Sequence, residues 1–174
     1  MKLDVFNAAF PTRRCAYPEM VPADWPSHQV KSMAEPTSEI PFQFYRAAFQ
    51  RIEEAEILFL AGKFHGAVYL AGYTVECMLK TLILIAEEPA RHEEIERTFR
   101  SRDGHDYERL RQRYEEAASE TIPENISLSL AFVSTWEPSL RYHSAIHDRV
   151  FAEKFLNETR RIMEWVDGQI PIER

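Results

Sequence analysis

The chain has 174 residues, of which 45% are hydrophobic and 28% charged, and its formal net charge is -7. This length fits one domain with room for an appended segment. The negative charge argues against a protein that coats nucleic acid, because such binding needs clustered lysines and arginines, but it does not exclude a small local site. Cys15 and Cys77 are too few and too far apart for a disulfide framework or a zinc site, and no metal site is expected.

The first 40 residues differ in composition from the rest of the chain. They contain five of the ten prolines and no glycine. Proline at this density disfavours regular helix, so the sequence predicts an extended N-terminal arm over residues 1–40. Aromatic residues in the arm indicate that it lies along its own domain or along a partner, and a partly ordered tail is the alternative. Because no apolar leader segment opens the chain, a cytoplasmic location is expected.

From Pro41 onward, apolar residues recur at helical spacing. No segment alternates like a strand for more than a few residues. The sequence therefore predicts an all-α, up-and-down bundle of about five helices over residues 41–170, with a tail at 171–174. The first helix is expected to end at Gly62, and a short turn leads into an antiparallel second helix.

The second predicted helix, from about residue 64 to 87, is apolar nearly all round and is expected at the centre of the bundle. It is long enough to be mistaken for a membrane span. Glu76 and Lys80 near its middle would each cost roughly 2.5 to 3.5 kcal/mol in a bilayer, so a buried helix of a bundle is the better interpretation.

The remaining helices follow in chain order. Residues 90–104 predict a short helix or a loop. A helix capped by Asp106 comes next. A shorter helix after Pro123 is expected to run through Trp136, and the last helix covers about residues 148–166.

The few polar residues of the central helix lie on one of its faces, which we call the polar stripe. They recur at steps of four, four, three and four residues: His65, Tyr69, Tyr73, Glu76 and Lys80. Such a stripe can face water or form a buried, satisfied network. It can also line a cleft or a dimer seam, and the sequence leaves these alternatives open.

The segment GKFHGAVYLAGYTVECMLKTLIL, followed by GHDYERL and WEPSLRY, resembles the HEPN domain (higher eukaryotes and prokaryotes nucleotide-binding). Members of that family are helical bundles whose central helix reads like A-x-x-L-A-x-Y-x-x-E-x-x-L-K. An H-D-L-x-x-L-like helix start and an Arg-Tyr before the last helix also recur. The resemblance covers about residues 42–168 and leaves the arm unexplained.

The resemblance implies a chemistry for the stretch RYHSAIH at residues 141–147. Active HEPN nucleases resemble one another in an arginine followed, after four to six residues, by a histidine, and Arg141 with His147 fits this spacing. His147 would move a proton, and Arg141 would stabilise the charge of a phosphorane. A metal-independent endoribonuclease without a cofactor is implied, acting on RNA as a toxin or defence component. A homodimer would bring two such sets into one cleft.

A non-catalytic HEPN module is the alternative. It would bind a nucleotide, or a partner such as a nucleotidyltransferase or an antitoxin, through the stripe residues Tyr73, Glu76 and Lys80. In that case Arg141 pairs with a carboxylate such as Glu76, and the tyrosine that follows it packs in the core. The histidine at position 147 then marks an exposed helix start.

Two further points bear on the Arg141 and His147 pair. Tyr142 stands where active members commonly have an asparagine or another small polar residue. His143 lies between the two residues and competes for the role of proton carrier. A third hypothesis is a structural dimerisation bundle whose arm grips a partner.

Overall fold

The structure is a computed structural model that describes residues 38–143 and 147–170. Most of the predicted arm over residues 1–40 and the tail at 171–174 lie outside these described ranges. Within them the chain forms α-helices and short 3-10 turns but no strand, as the all-α prediction requires. The six α-helices are α1 Ile40–Leu60, α2 Phe64–Ile85, α3 His92–Thr98, α4 Tyr107–Ala118, α5 Glu124–Val133 and α6 Arg149–Gln169. The 3-10 turns are Pro89–Arg91, Arg102–His105 and Pro138–Tyr142, and we call the last one the arginine turn.

Helices α1 and α2 form an antiparallel pair that reverses at Gly62. Gly62 has a φ of 72°, in the left-handed region that glycine enters without a steric penalty. The apolar residues of α1 recur at three- and four-residue steps and are buried against the rest of the bundle, as predicted: Phe42, Tyr45, Phe49, Ile52 and Ala55.

Helix α2 is the centre of the bundle and packs against α1, α4 and α6. By length and hydropathy it could cross a membrane, but 72% of its most apolar window is buried inside the protein. Its neighbours therefore cover it from several sides, and this accounts for its being apolar nearly all round. The prediction of a buried core helix is confirmed.

The other helices follow the predicted order, with two differences. Residues 92–98 form α3, so the described part of the chain holds six α-helices rather than about five. The second difference is that α5 ends at Val133, earlier than expected. The predicted cap of α4 is confirmed, because the carboxylate of Asp106 accepts hydrogen bonds from the backbone N–H groups of Glu108 and Arg109 at 3.0 and 3.1 Å.

Trp136 explains why α5 stops early. Its indole N–H donates a hydrogen bond to the backbone carbonyl of Tyr69 at 3.0 Å, and its ring stacks on Tyr107 at 5.5 Å. A Cβ atom at Gly72 would come within 2.2 Å of the indole ring, so only glycine allows this approach. The chain must leave the helix to insert Trp136 against α2. This insertion anchors the segment that leads into the arginine turn.

Candidate active site at the arginine turn

Arg141 lies exposed in the arginine turn. Its guanidinium lies 4.8 Å from the centre of the Tyr142 ring, and hydrogen bonding to the side chains of Tyr69 and Tyr142 raises the pKa of Arg141. In the described part of the chain, no carboxylate forms an ion pair with it. Tyr142 is 77% exposed and is not a core residue. The positive charge of Arg141 is therefore open to an anionic ligand.

His147 lies just before α6 and is partly buried. Its ring stacks on the ring of His65 at 5.2 Å and on that of Phe151 at 4.6 Å, with interplanar angles of 18° and 15°. Its Nε2 atom is buried and has no hydrogen-bond partner among the residues that the structure describes. Asp148 caps α6 by accepting a hydrogen bond from the N–H of Phe151 at 2.8 Å, which fixes the start of the helix.

Burial lowers the pKa of His147 below its ordinary value of 6.5, and the nearby His65 lowers it further. The carboxylate of Asp148 acts in the opposite direction and is the smaller influence. The imidazole of His147 is therefore neutral at pH 7 and able to accept a proton.

The polar stripe divides into two parts, and its N-terminal part joins the arginine turn. We call His65, Tyr69 and Tyr73 the N-terminal stripe. The Nε2 atom of His65 donates to the carbonyl oxygen of Leu140 at 3.0 Å. The hydroxyls of Tyr69 and Tyr73 lie 3.1 Å apart, and burial followed by this hydrogen bond raises the pKa of Tyr73 to about 12. This end of α2 thus contacts Arg141 through Tyr69 and His147 through His65.

Glu76 and Lys80, which we call the C-terminal stripe, lie in the core instead. Their side chains are each 5% exposed and form an ion pair at 2.7 Å. The other carboxylate oxygen of Glu76 accepts a hydrogen bond from Nδ1 of His105 at 2.9 Å. The ammonium of Lys80 also lies over the rings of Phe44 and Phe99. These groups form a buried network with its charges satisfied, one of the alternatives that the sequence left open.

The sequence predicted the stripe and the Arg141–His147 pair separately, but it did not predict that they lie next to each other in the fold. His65 and Tyr69 were assigned only to the stripe, and nothing in the linear sequence shows that they meet residues 72 to 82 positions away. His143, the competing proton carrier, is exposed, and its backbone N–H donates to the carbonyl of Leu140 at 3.0 Å.

A cleft of about 450 Å³ opens between α4 and the segment that precedes the arginine turn. Its lining includes Arg102, His105, Trp136 and Glu137. In the described ranges, no three His, Cys, Asp or Glu side chains are grouped so that they could hold a metal ion.

A family model described as HEPN domain matches residues 43–169. The chain belongs to the HEPN domain family. The match covers nearly the whole bundle, from α1 to the end of α6, and confirms the resemblance that the sequence motifs carried. Neither the curated proteins nor the solved structures contain a match to the chain. Both Arg141 and His147 lie inside the HEPN domain.

Proposed function

We propose that this HEPN protein is a metal-independent endoribonuclease in which Arg141 and His147 act on the scissile phosphodiester. One observation carries the proposal: an exposed arginine without a carboxylate partner among the described residues and a histidine with a lowered pKa are tied to the same end of α2, through Tyr69 and His65. A phosphate clamp and a proton acceptor are the two groups that cleavage through the ribose 2'-hydroxyl requires.

The reaction needs no metal because the nucleophile belongs to the RNA. His147 removes the proton of the 2'-hydroxyl, and the 2'-oxygen forms a bond to the phosphorus. The bond from phosphorus to the 5'-oxygen then breaks, leaving a 2',3'-cyclic phosphate, and the departing 5'-oxygen takes up a proton. Arg141 stabilises the added negative charge on the phosphorane with two parallel hydrogen bonds.

Protonation of the departing oxygen calls for an acid on the other side of the phosphate. A symmetric homodimer brings a second His147 to the same cleft, and the protonated form of that residue, which is the minor form at pH 7, donates this proton. We therefore propose that the active form is a homodimer. Size-exclusion chromatography with light scattering measures the mass of the protein in solution. A purely monomeric protein that still cleaves RNA would contradict the dimer.

Cleavage of an end-labelled single-stranded RNA in the presence of EDTA tests the function. We expect wild-type protein to produce 2',3'-cyclic phosphate ends. The variants His147→Ala and Arg141→Ala should lose on the order of a hundredfold or more in rate, because each removes one chemical role. His143→Ala is the matched control, since it removes an exposed histidine from the same segment.

Two results would contradict the nuclease. One is intact RNA after incubation of wild-type protein with several unrelated sequences. The other is cleavage that persists in both His147→Ala and Arg141→Ala, because it would come from a contaminant or from another site. Loss of activity in His143→Ala alone would transfer the proton-carrying role to that residue.

The alternative function is a non-catalytic module that binds a nucleotide or a partner such as a nucleotidyltransferase or an antitoxin. The cleft of about 450 Å³ favours it, because its lining combines the guanidinium of Arg102 with the aromatic Trp136. Among the stripe residues of that hypothesis, Glu76 and Lys80 are buried in the core and do not line the cleft, although Glu76 binds His105, which does. Calorimetric titration of nucleotides into wild-type protein and Arg102→Ala would reveal such a site.

A further inference from the structure

His65 contacts His147 and also the residue that precedes Arg141. It is the second residue of α2, and its Nε2 atom lies 3.0 Å from the carbonyl oxygen of Leu140, the residue before Arg141. A carbonyl oxygen only accepts hydrogen bonds, so Nε2 of His65 carries the hydrogen. The ring is thereby held in one tautomer and one orientation.

The same ring forms one wall of the environment of His147. The two imidazoles are nearly parallel, with their centres 5.2 Å apart, and Phe151 stacks on His147 at 4.6 Å. Neither contact depends on charge, so both persist when His147 is neutral. The ring of His147 is therefore fixed in its plane by groups from α2 and α6.

We propose that His65 is a positioning residue that holds the ring of His147 in plane and ties the arginine turn to α2. Its catalytic consequence rests on the proposed ribonuclease function, whereas its effect on the ring of His147 does not. The side chain of His65 would then set the distance between Arg141, the phosphate clamp, and His147, the proton carrier.

The geometry excludes His65 as a second proton carrier across the phosphate. A phosphate does not fit between two nearly parallel rings whose centres are 5.2 Å apart. Its Nε2 atom is also already engaged with Leu140. His65 acts through His147 and not on the substrate.

Among the described residues, two titratable groups face His147. His65 approaches from α2 and lowers the pKa of His147, whereas Asp148 at the start of α6 raises it, and the Phe151 ring carries no charge. Removing the His65 ring also admits water to His147. Both changes favour the protonated form of His147 and diminish the fraction that can act as a base.

Two variants of His65 separate its contacts. His65→Gln keeps an N–H donor for Leu140 but loses the stacked ring, and His65→Phe keeps a ring but loses the donor. The His147 titration is followed by NMR of its ring C–H signal, alongside the pH dependence of RNA cleavage. His92→Gln is the matched control, because His92 is also buried and its Nε2 lies 3.2 Å from a backbone carbonyl, that of Glu87.

In His65→Gln we expect the midpoint of the His147 titration to move to higher pH and the acid limb of the cleavage profile to follow it. The kcat should fall on the order of tenfold to a hundredfold while KM changes little, because the ring of His147 loses its orientation. His65→Phe should raise KM, because the arginine turn is released. His92→Gln should leave the titration and both kinetic constants unchanged.

If the midpoint of the His147 titration is unchanged in both His65 variants, the inference is overturned, even if wild-type protein cleaves RNA. If the titration moves as expected but wild-type protein cleaves no RNA, the positioning role stands and the ribonuclease proposal fails. Should His65→Gln fail to fold, His65→Phe alone decides, because it also lacks the imidazole that lowers the pKa of His147.

Discussion

The two parts of the polar stripe lie on one face of one helix and differ in how their polar groups are satisfied. In the C-terminal stripe, Glu76 binds Lys80 at 2.7 Å and His105 at 2.9 Å, all within the fold. In the N-terminal stripe, His65 has a buried Nδ1 without a hydrogen-bond partner in the described part of the chain, and its neighbour His147 has a buried Nε2 that likewise has none.

The difference separates polar groups whose hydrogen bonds are satisfied within the fold from buried ring nitrogens that have no partner among the described residues. A buried charge costs several kcal/mol unless it is paired, so the C-terminal stripe must be complete for the bundle to fold. An unpaired ring nitrogen costs less to bury than an unpaired charge, so the N-terminal stripe tolerates the two nitrogens that lack a partner. Changes in the first region should therefore affect stability, and changes in the second should affect activity.

The largest effect on stability is expected from Glu76→Ala. This change leaves the ammonium of Lys80 buried next to Phe44 and Phe99 without an anion. Breaking a buried pair on one side typically costs about 3–5 kcal/mol. Urea unfolding measures the loss as a lower transition midpoint.

The surface pair Arg97 and Glu93 supplies the matched control, since it has the same spacing but side chains that are 67% and 79% exposed. Glu93→Ala should cost less than about 1 kcal/mol. Equal losses in Glu76→Ala and Glu93→Ala would show that the buried network does not hold the fold together.

A smaller loss, about 1–3 kcal/mol, is expected from Gly72→Ala, which overpacks the contact between α2 and Trp136, just before the arginine turn. The new methyl group would collide with the buried indole of Trp136, only 2.2 Å away. The displaced Trp136 should also shift the turn that carries Arg141, so RNA cleavage should fall together with the unfolding midpoint.

Gly168→Ala is the control for this substitution. Gly168 lies within α6, and a Cβ atom there meets nothing within 4 Å. Alanine has the higher helix propensity, so we expect a gain of about 0.5–1 kcal/mol. An equal gain in both glycine variants would show that helix propensity, and not the contact with Trp136, determines the result.

The sequence predicted the bundle well because its signals are local. The three- and four-residue steps of apolar residues in α1, the reversal at Gly62 and the cap at Asp106 each depend on a few neighbouring residues. It was wrong about the end of α5, because the position of Trp136 is decided by a contact with Gly72, 64 residues earlier in the chain. Helical periodicity carries no information about such a tertiary contact.

The candidate site was predicted only in pieces for the same reason. The spacing of Arg141 and His147 is visible in the sequence, and so is the stripe. Whether Glu76 pairs with Lys80 or with Arg141 depends on the depth at which each side chain lies, and depth follows from packing. The stacking of His65 on His147 joins two segments about 80 residues apart and has no local signal.

Substitution of Arg141 by alanine should leave stability almost unchanged while abolishing cleavage. Arg141 is exposed and has no ion pair with a carboxylate of residues 38–143 or 147–170. Removal of a group that stabilises transition-state charge costs on the order of a hundredfold to a thousandfold in rate. Parallel urea unfolding and RNA cleavage of the same preparation measure both effects. A large drop in the unfolding midpoint would place Arg141 among the residues that maintain the fold.

The smallest effect should be a change in how stability depends on pH. The pKa of His147 is lower in the folded protein than its ordinary value of 6.5, so the unfolded chain binds a proton at this residue more readily. Its contribution to stability is present above pH 6.5 and is lost as the pH falls through the folded pKa. His147→Gln should therefore flatten the decline in unfolding free energy below pH 6.5, whereas His143→Gln, at an exposed position, should not. Identical pH profiles for His147→Gln and wild-type protein would mean that the folded protein accommodates a charged His147 as readily as water does, and the distinction between the two parts of the stripe would lose its electrostatic basis.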